Sequence, residues 1–70
     1  MIYNNKMNLA QTIKQRREEL GISMDYLAEV ATVSLRTLKA IESGKGNPTL
    51  NSINKLADVL GLEMKLEVKK

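Results

Sequence analysis

The sequence predicts a mainly α fold of four short helices followed by one β-strand. Three observations carry this. Apolar residues recur at helical spacing from Leu9 to Leu60. Serine, threonine and glycine stand where such helices would start and stop. After Gly61 the pattern switches to strict alternation.

The first helix carries Leu9, Ile13 and Leu20 on one stripe, and Gly21 can end it. Ser23 can cap the second, with Asp25 in its first turn, where the helix dipole favours an anion. Its Met24, Leu27, Ala28 and Ala31 follow the i, i+3, i+4, i+7 rule. Ser34 can cap the third, whose inward stripe is Leu38, Ile41 and part of Leu35. Gly44-Lys-Gly-Asn-Pro48 is a loop signal. Thr49 can cap the fourth, with Leu50, Ile53, Leu56, Ala57 and Leu60 inward and Gly61 closing it. In the tail, Leu62, Met64, Leu66 and Val68 face one way, and Glu63, Lys65, Glu67 and Lys69 the other. That is the pattern of a half-buried strand. The domain organisation expected is a helical domain over 1–61 and a strand over 62–70.

Two charges fall on apolar stripes. Arg17 lies four residues after Ile13 and three before Leu20, and Glu42 lies beside Leu38 and Ile41. Burying an unpaired ion costs several kcal/mol. The economical solution is an Arg17–Glu42 bridge joining the first and third helices. The alternative is that both reach out to solvent along their own stems.

Composition narrows the function. Seventy residues make one small domain, and such a chain buries only roughly 60% of its unfolded surface. There is no cysteine and no histidine. Disulfides, thiolate metal sites and the usual general base are therefore absent, and no metal or cofactor is expected. A lysine or carboxylate enzyme would still need a sizeable pocket, so an enzyme is not expected either. No apolar run approaches the roughly 20 residues of a membrane span. The N-terminus lacks the apolar core of a signal peptide, and a cytoplasmic protein is expected. The net charge of +3, with a pI near 9.4, permits a polyanionic partner without demanding one.

Two short helices joined through Thr32-Val33, with small Ala28 and Ala31 at the crossing, have the spacing of a helix-turn-helix. The pattern from Leu27-Ala28 through Val33-Ser34, Thr37-Leu38, Ile41-Glu42-Ser43-Gly44-Lys45 and Pro48-Thr49-Leu50 resembles the Cro/repressor-type (XRE-like) helix-turn-helix family. The resemblance covers residues 9 to 61. It implies a lambda-repressor-like domain that binds operator DNA as a dimer, with an arginine–glutamate bridge corresponding to Arg17 and Glu42. It also implies that the helix after Ser34 is the recognition helix. On that resemblance Leu35, Arg36 and Ala40 occupy base-reading positions, with Lys39 close by. Ser23, Ser34, Thr37, Lys45, Asn47 and the Gly46 backbone occupy phosphate-gripping ones.

Side-chain chemistry supports these roles unevenly. Arginine can bond guanine twice, leucine offers only apolar contact to a thymine methyl, and alanine donates nothing. Lysine serves phosphate as a point charge. The sequence departs from the family at Met24, where glutamine often contacts phosphate, and at Thr32, where glycine is usual. A positive φ at Thr32 would strain it.

A lone amphipathic strand exposes an unpaired edge, and a second copy of itself is the natural partner. A short helix-turn-helix domain ending in such a strand resembles HipB-type antitoxins. That resemblance implies a homodimer made by paired tails, binding of a kinase toxin and repression of its own operon. Centring the antiparallel pair on Leu66 sets Glu63 opposite Lys69, Lys65 opposite Glu67, and Met64 opposite Val68. The expected function is a dimeric repressor of a palindromic operator. An antitoxin that chiefly binds protein, and a helical adaptor without DNA affinity, remain as alternatives.

Overall fold

The structure, a computed structural model, describes residues 6–63, with side chains from Leu9 onward. Met64, Leu66 and Val68, the tail strand beyond Glu63 and its pairing lie outside the described residues. Within them are four helices: α1 (Lys6–Glu19), α2 (Met24–Ala31), α3 (Leu35–Glu42) and α4 (Leu50–Leu60). α1 packs against α3 and α4, and α2 packs against the same two helices.

Local chemistry sets the boundaries. The Ser23, Ser34 and Thr49 side chains accept the N–H groups of Tyr26, Thr37 and Ser52, satisfying donors that the first turns of α2, α3 and α4 leave open. Positive φ follows each of the four helices, at Gly21, Thr32, Gly44 and Gly61. At α4 the Leu62 N–H donates to the Ala57 carbonyl at 2.8 Å, and Leu62 folds onto the core. At α2 the Val33 N–H donates to the Ala28 carbonyl at 3.0 Å, and Val33 is buried. Both ends pair a left-handed residue with an apolar one behind it, and so close the helix and begin the next turn together.

The core gathers Ile13, Leu27, Ala28, Ala31, Val33, Leu38, Ile41, Leu56 and Leu60. Leu27, Leu38 and Leu56 are wholly buried. Truncating one of them, for example Leu38→Ala, should cost about 2–5 kcal/mol, a large part of a small domain's stability. Met24 and Leu35 are half-buried and packed against this cluster. Among the described residues, no buried side-chain nitrogen or oxygen lacks a hydrogen-bond partner.

Two residues expected inward are outside. Leu20 is 44% exposed because α1 stops at Glu19, so Leu20 already belongs to the turn. Leu50 is 64% exposed because it is the first residue of α4, where the helix has not yet reached the core. Ala10 is buried instead, on the α1 face that also carries Ile13. One further contact joins α1 to the end of α4. Arg16 Nε donates to the Leu60 carbonyl at 2.9 Å, placing a cation at the C-terminus of α4, where unpaired carbonyls favour it.

Candidate nucleic-acid interface

α2 and α3 pack against one another, and a charge pair ties the end of α3 to α1. Arg17 Nε donates to Glu42 Oε2 at 2.8 Å and Nη2 to Oε1 at 3.1 Å, while Nη1 donates to the Ile22 carbonyl at 2.9 Å. The expected pair is thus present, and it also holds the turn between α1 and α2. Hydrogen bonding to Glu42 raises the Arg17 pKa further above its already high ordinary value, and burial opposes this. The guanidinium stays charged, and the base of α3 is fixed against α1.

With Leu38 and Ile41 buried, α3 turns Arg36, Lys39, Ala40 and Ser43 outward. The loop after α3 folds back along it, where positive φ at Gly44 and Gly46 lets the chain reverse. A Cβ added at Gly46 would lie 3.7 Å from that of Ala40, so the loop runs close beside the helix. The result is a shallow hollow lined by Arg36, Thr37, Ala40, Ile41, Lys45, Asn47 and Pro48. It holds about 200 Å³, short of the roughly 300–1,000 Å³ that enclose a small-molecule ligand. It is an open cationic surface rather than a reaction chamber.

The hydroxyls near it have definite roles. Ser34 Oγ accepts the Thr37 N–H at 3.0 Å and donates to Thr37 Oγ1 at 2.9 Å. Ser23 stands at the start of α2, accepting the Tyr26 N–H. Leu35 divides itself between core and surface.

Of the residues expected at the interface, Arg36, Thr37, Ala40, Lys45 and Asn47 come together in this hollow. Ser23 and Ser34 stand at the two helix starts. Lys39, expected near the base-reading group, opens onto a second hollow with Lys14, Arg17, Met24, Glu42 and Ser43. Lys14 of α1 shares this second hollow with Lys39, although a lysine on an exposed face of a first helix carries no signal of its own in the sequence. Among the described residues, no cluster of His, Cys, Asp and Glu could hold a metal ion, and no helix is long and apolar enough to cross a membrane.

Comparison with known proteins agrees at the level of sequence and of fold. A helix-turn-helix family model matches residues 13–66. An uncharacterized HTH-type transcriptional regulator of Methanothermobacter thermautotrophicus is 37% identical over 51 residues, covering 73% of this chain and 74% of that protein. The HTH-type transcriptional regulator DdrOP3 of Deinococcus deserti is 30% identical over 56 residues, covering 80% of this chain but 43% of that longer protein. Among solved structures, a HipB variant in complex with an O2 20mer aligns with a TM-score of 0.84 at 28% identity, covering 100% of this chain and 96% of that one. A HipA-HipB-O2-O3 complex aligns at 0.83 and 28%, covering 100% and 97%.

Proposed function

The chain belongs to the helix-turn-helix family as a DNA-binding transcriptional regulator and not an enzyme, and we propose that it acts as a dimeric repressor, laying α3 in the major groove of a palindromic operator. The observation that supports this most is the hollow beside α3, where Arg36, Lys45, Thr37 and Asn47 converge on an open surface. A B-DNA major groove is about 12 Å wide and admits one helix. Arg36, at the outward edge of α3, then reaches a guanine through two hydrogen bonds, with Leu35 and Ala40 offering apolar contact to neighbouring bases. Lys45 and Asn47 in the following loop, with Ser23, Ser34 and Thr37, meet the phosphates that set the register.

In this reading residues 1–61 bind DNA and 62–70 make the dimer by pairing with a second copy. Pairing centred on Leu66 would hold the two α3 helices roughly 34 Å apart, one turn of DNA. A titration of duplex DNA at several salt concentrations tests the reading. Affinity should fall steeply and log-linearly with salt. A protein-binding adaptor would show no such binding at any salt concentration.

The full-length alignment with a HipA-HipB-O2-O3 complex favours one second reading, an antitoxin that binds a toxin of the kinase kind and regulates its own operon. Both readings share the DNA interface. A pull-down from the native cell separates them, since only the antitoxin should retain a stoichiometric protein partner.

A further inference from the structure

Lys39 is three residues beyond Arg36 on α3 but faces a different hollow. At 3.6 residues per turn, Arg36, Thr37, Ala40 and Ile41 line one flank of the helix, and Lys39, Glu42 and Ser43 line the other. The second flank is completed by Lys14 and Arg17 of α1 and by Met24, the first residue of α2.

The charges in this second hollow do not cancel. Arg17 and Glu42 neutralise one another, and their side chains are only 12% and 6% exposed. All three Arg17 nitrogens are committed, to Glu42 and to the Ile22 carbonyl. What remains is Lys14 and Lys39, both exposed and neither in an ion pair with another described residue. Exposed Glu18 acts on Arg17, favouring its charged form. Met24 contributes an apolar wall and no side-chain donor. Two ammonium groups thus flank a surface whose buried charges are already balanced, and the ligand complementary to them is an anion.

We infer that this hollow seats a backbone phosphate of the bound duplex, gripped by Lys14 and Lys39 on the flank of α3 opposite Lys45. The inference rests on α3 lying in the major groove. A helix with its side chains is about 10–12 Å across and fills a groove about 12 Å wide, so each flank faces one of the two phosphate strands. Lys45 and Asn47 meet one strand, and Lys14 and Lys39 the other. Lys39 is then a phosphate contact and carries no sequence information, whereas Arg36, at the outward edge of the opposite hollow, reads the bases.

The experiment is a salt titration of the full chain on a duplex obtained by selection from random DNA. It compares the parent with Lys14→Ala/Lys39→Ala, the gentler Lys14→Gln/Lys39→Gln, and Lys55→Ala as a control on exposed α4. Both double variants should shallow the log–log salt slope by about one unit, leave the selected consensus unchanged and match the control in thermal stability. Replacing single phosphates by neutral methylphosphonates should then reveal one position that weakens the parent and leaves the double variants unaffected. Parent-like slopes in both double variants, or a changed consensus for either of them, would overturn the inference and leave the DNA-binding reading standing. A parent without salt-dependent binding would remove that reading itself, and this inference with it.

Discussion

Arg17 and Glu42 meet through two parallel hydrogen bonds, at 2.8 and 3.1 Å, in a site where neither side chain is more than 12% exposed. A pair of this geometry is costly to break singly, because the survivor is left charged in a poor solvent. Glu42→Ala should destabilise the domain by roughly 3 kcal/mol, and Arg17→Ala by roughly 3–5, since the latter also strips the Ile22 carbonyl of its donor. The double variant should lose less than the sum in a denaturant-based cycle. Strict additivity would show that the two do not interact. Because the Arg17 pKa is raised on folding, the associated stability is complete below the unfolded-state value and disappears only as pH rises through the folded one. Arg17 should therefore contribute no loss of stability between neutral and moderately alkaline pH.

Thr32 has φ 60° and ψ 43°, a left-handed conformation that is rare for a β-branched residue. Strain there is on the order of 1–2 kcal/mol, and glycine's extra unfolded-state entropy offsets roughly half of it. Thr32→Gly should therefore raise stability by about 0.5–1 kcal/mol, read as a higher urea midpoint at unchanged slope. A lower midpoint would show that the Thr32 side chain stabilises the turn by more than its backbone strains it.

Much of this architecture was legible because it is local. A cap serine at 23 or 34 acts on a donor three residues away, so its signal survives in the bare sequence. The Arg17–Glu42 pair is long-range, yet each partner stood out as a charge on an apolar stripe. Leu20 and Leu50 were misread for one reason: periodicity says which face is apolar, not where a helix stops being helical or first touches the core. The Arg16 contact to the Leu60 carbonyl left no trace in the sequence, because a backbone acceptor has no residue type. Separation of Lys39 from Arg36 was invisible in the same way, since it depends on where α1 crosses α3.

Lys45 should behave as a phosphate contact. Lys45→Ala is expected to weaken binding to all duplexes alike and to reduce the salt slope by about one unit. A slope identical to the parent's would place Lys45 outside the interface.

The dimer proposal concerns the tail. If facing residues are paired about Leu66, a cysteine introduced there in this cysteine-free chain lies opposite its own copy. Leu66→Cys should cross-link on mild oxidation more readily than Met64→Cys or Val68→Cys, within the limits set by disulfide geometry. Sedimentation of the parent as a monomer at micromolar concentration would contradict the proposal outright.

The central claim is that α3 reads DNA through Arg36, and selection from a randomised duplex library with the parent and Arg36→Ala tests it most directly. The parent should return a two-fold symmetric consensus with half-sites about one DNA turn apart. Arg36→Ala should lose preference for one G·C pair in each half-site, at a cost of about 1–3 kcal/mol on the parent's site, and keep the rest. No enrichment by the parent, or the same consensus from both proteins, would contradict the claim.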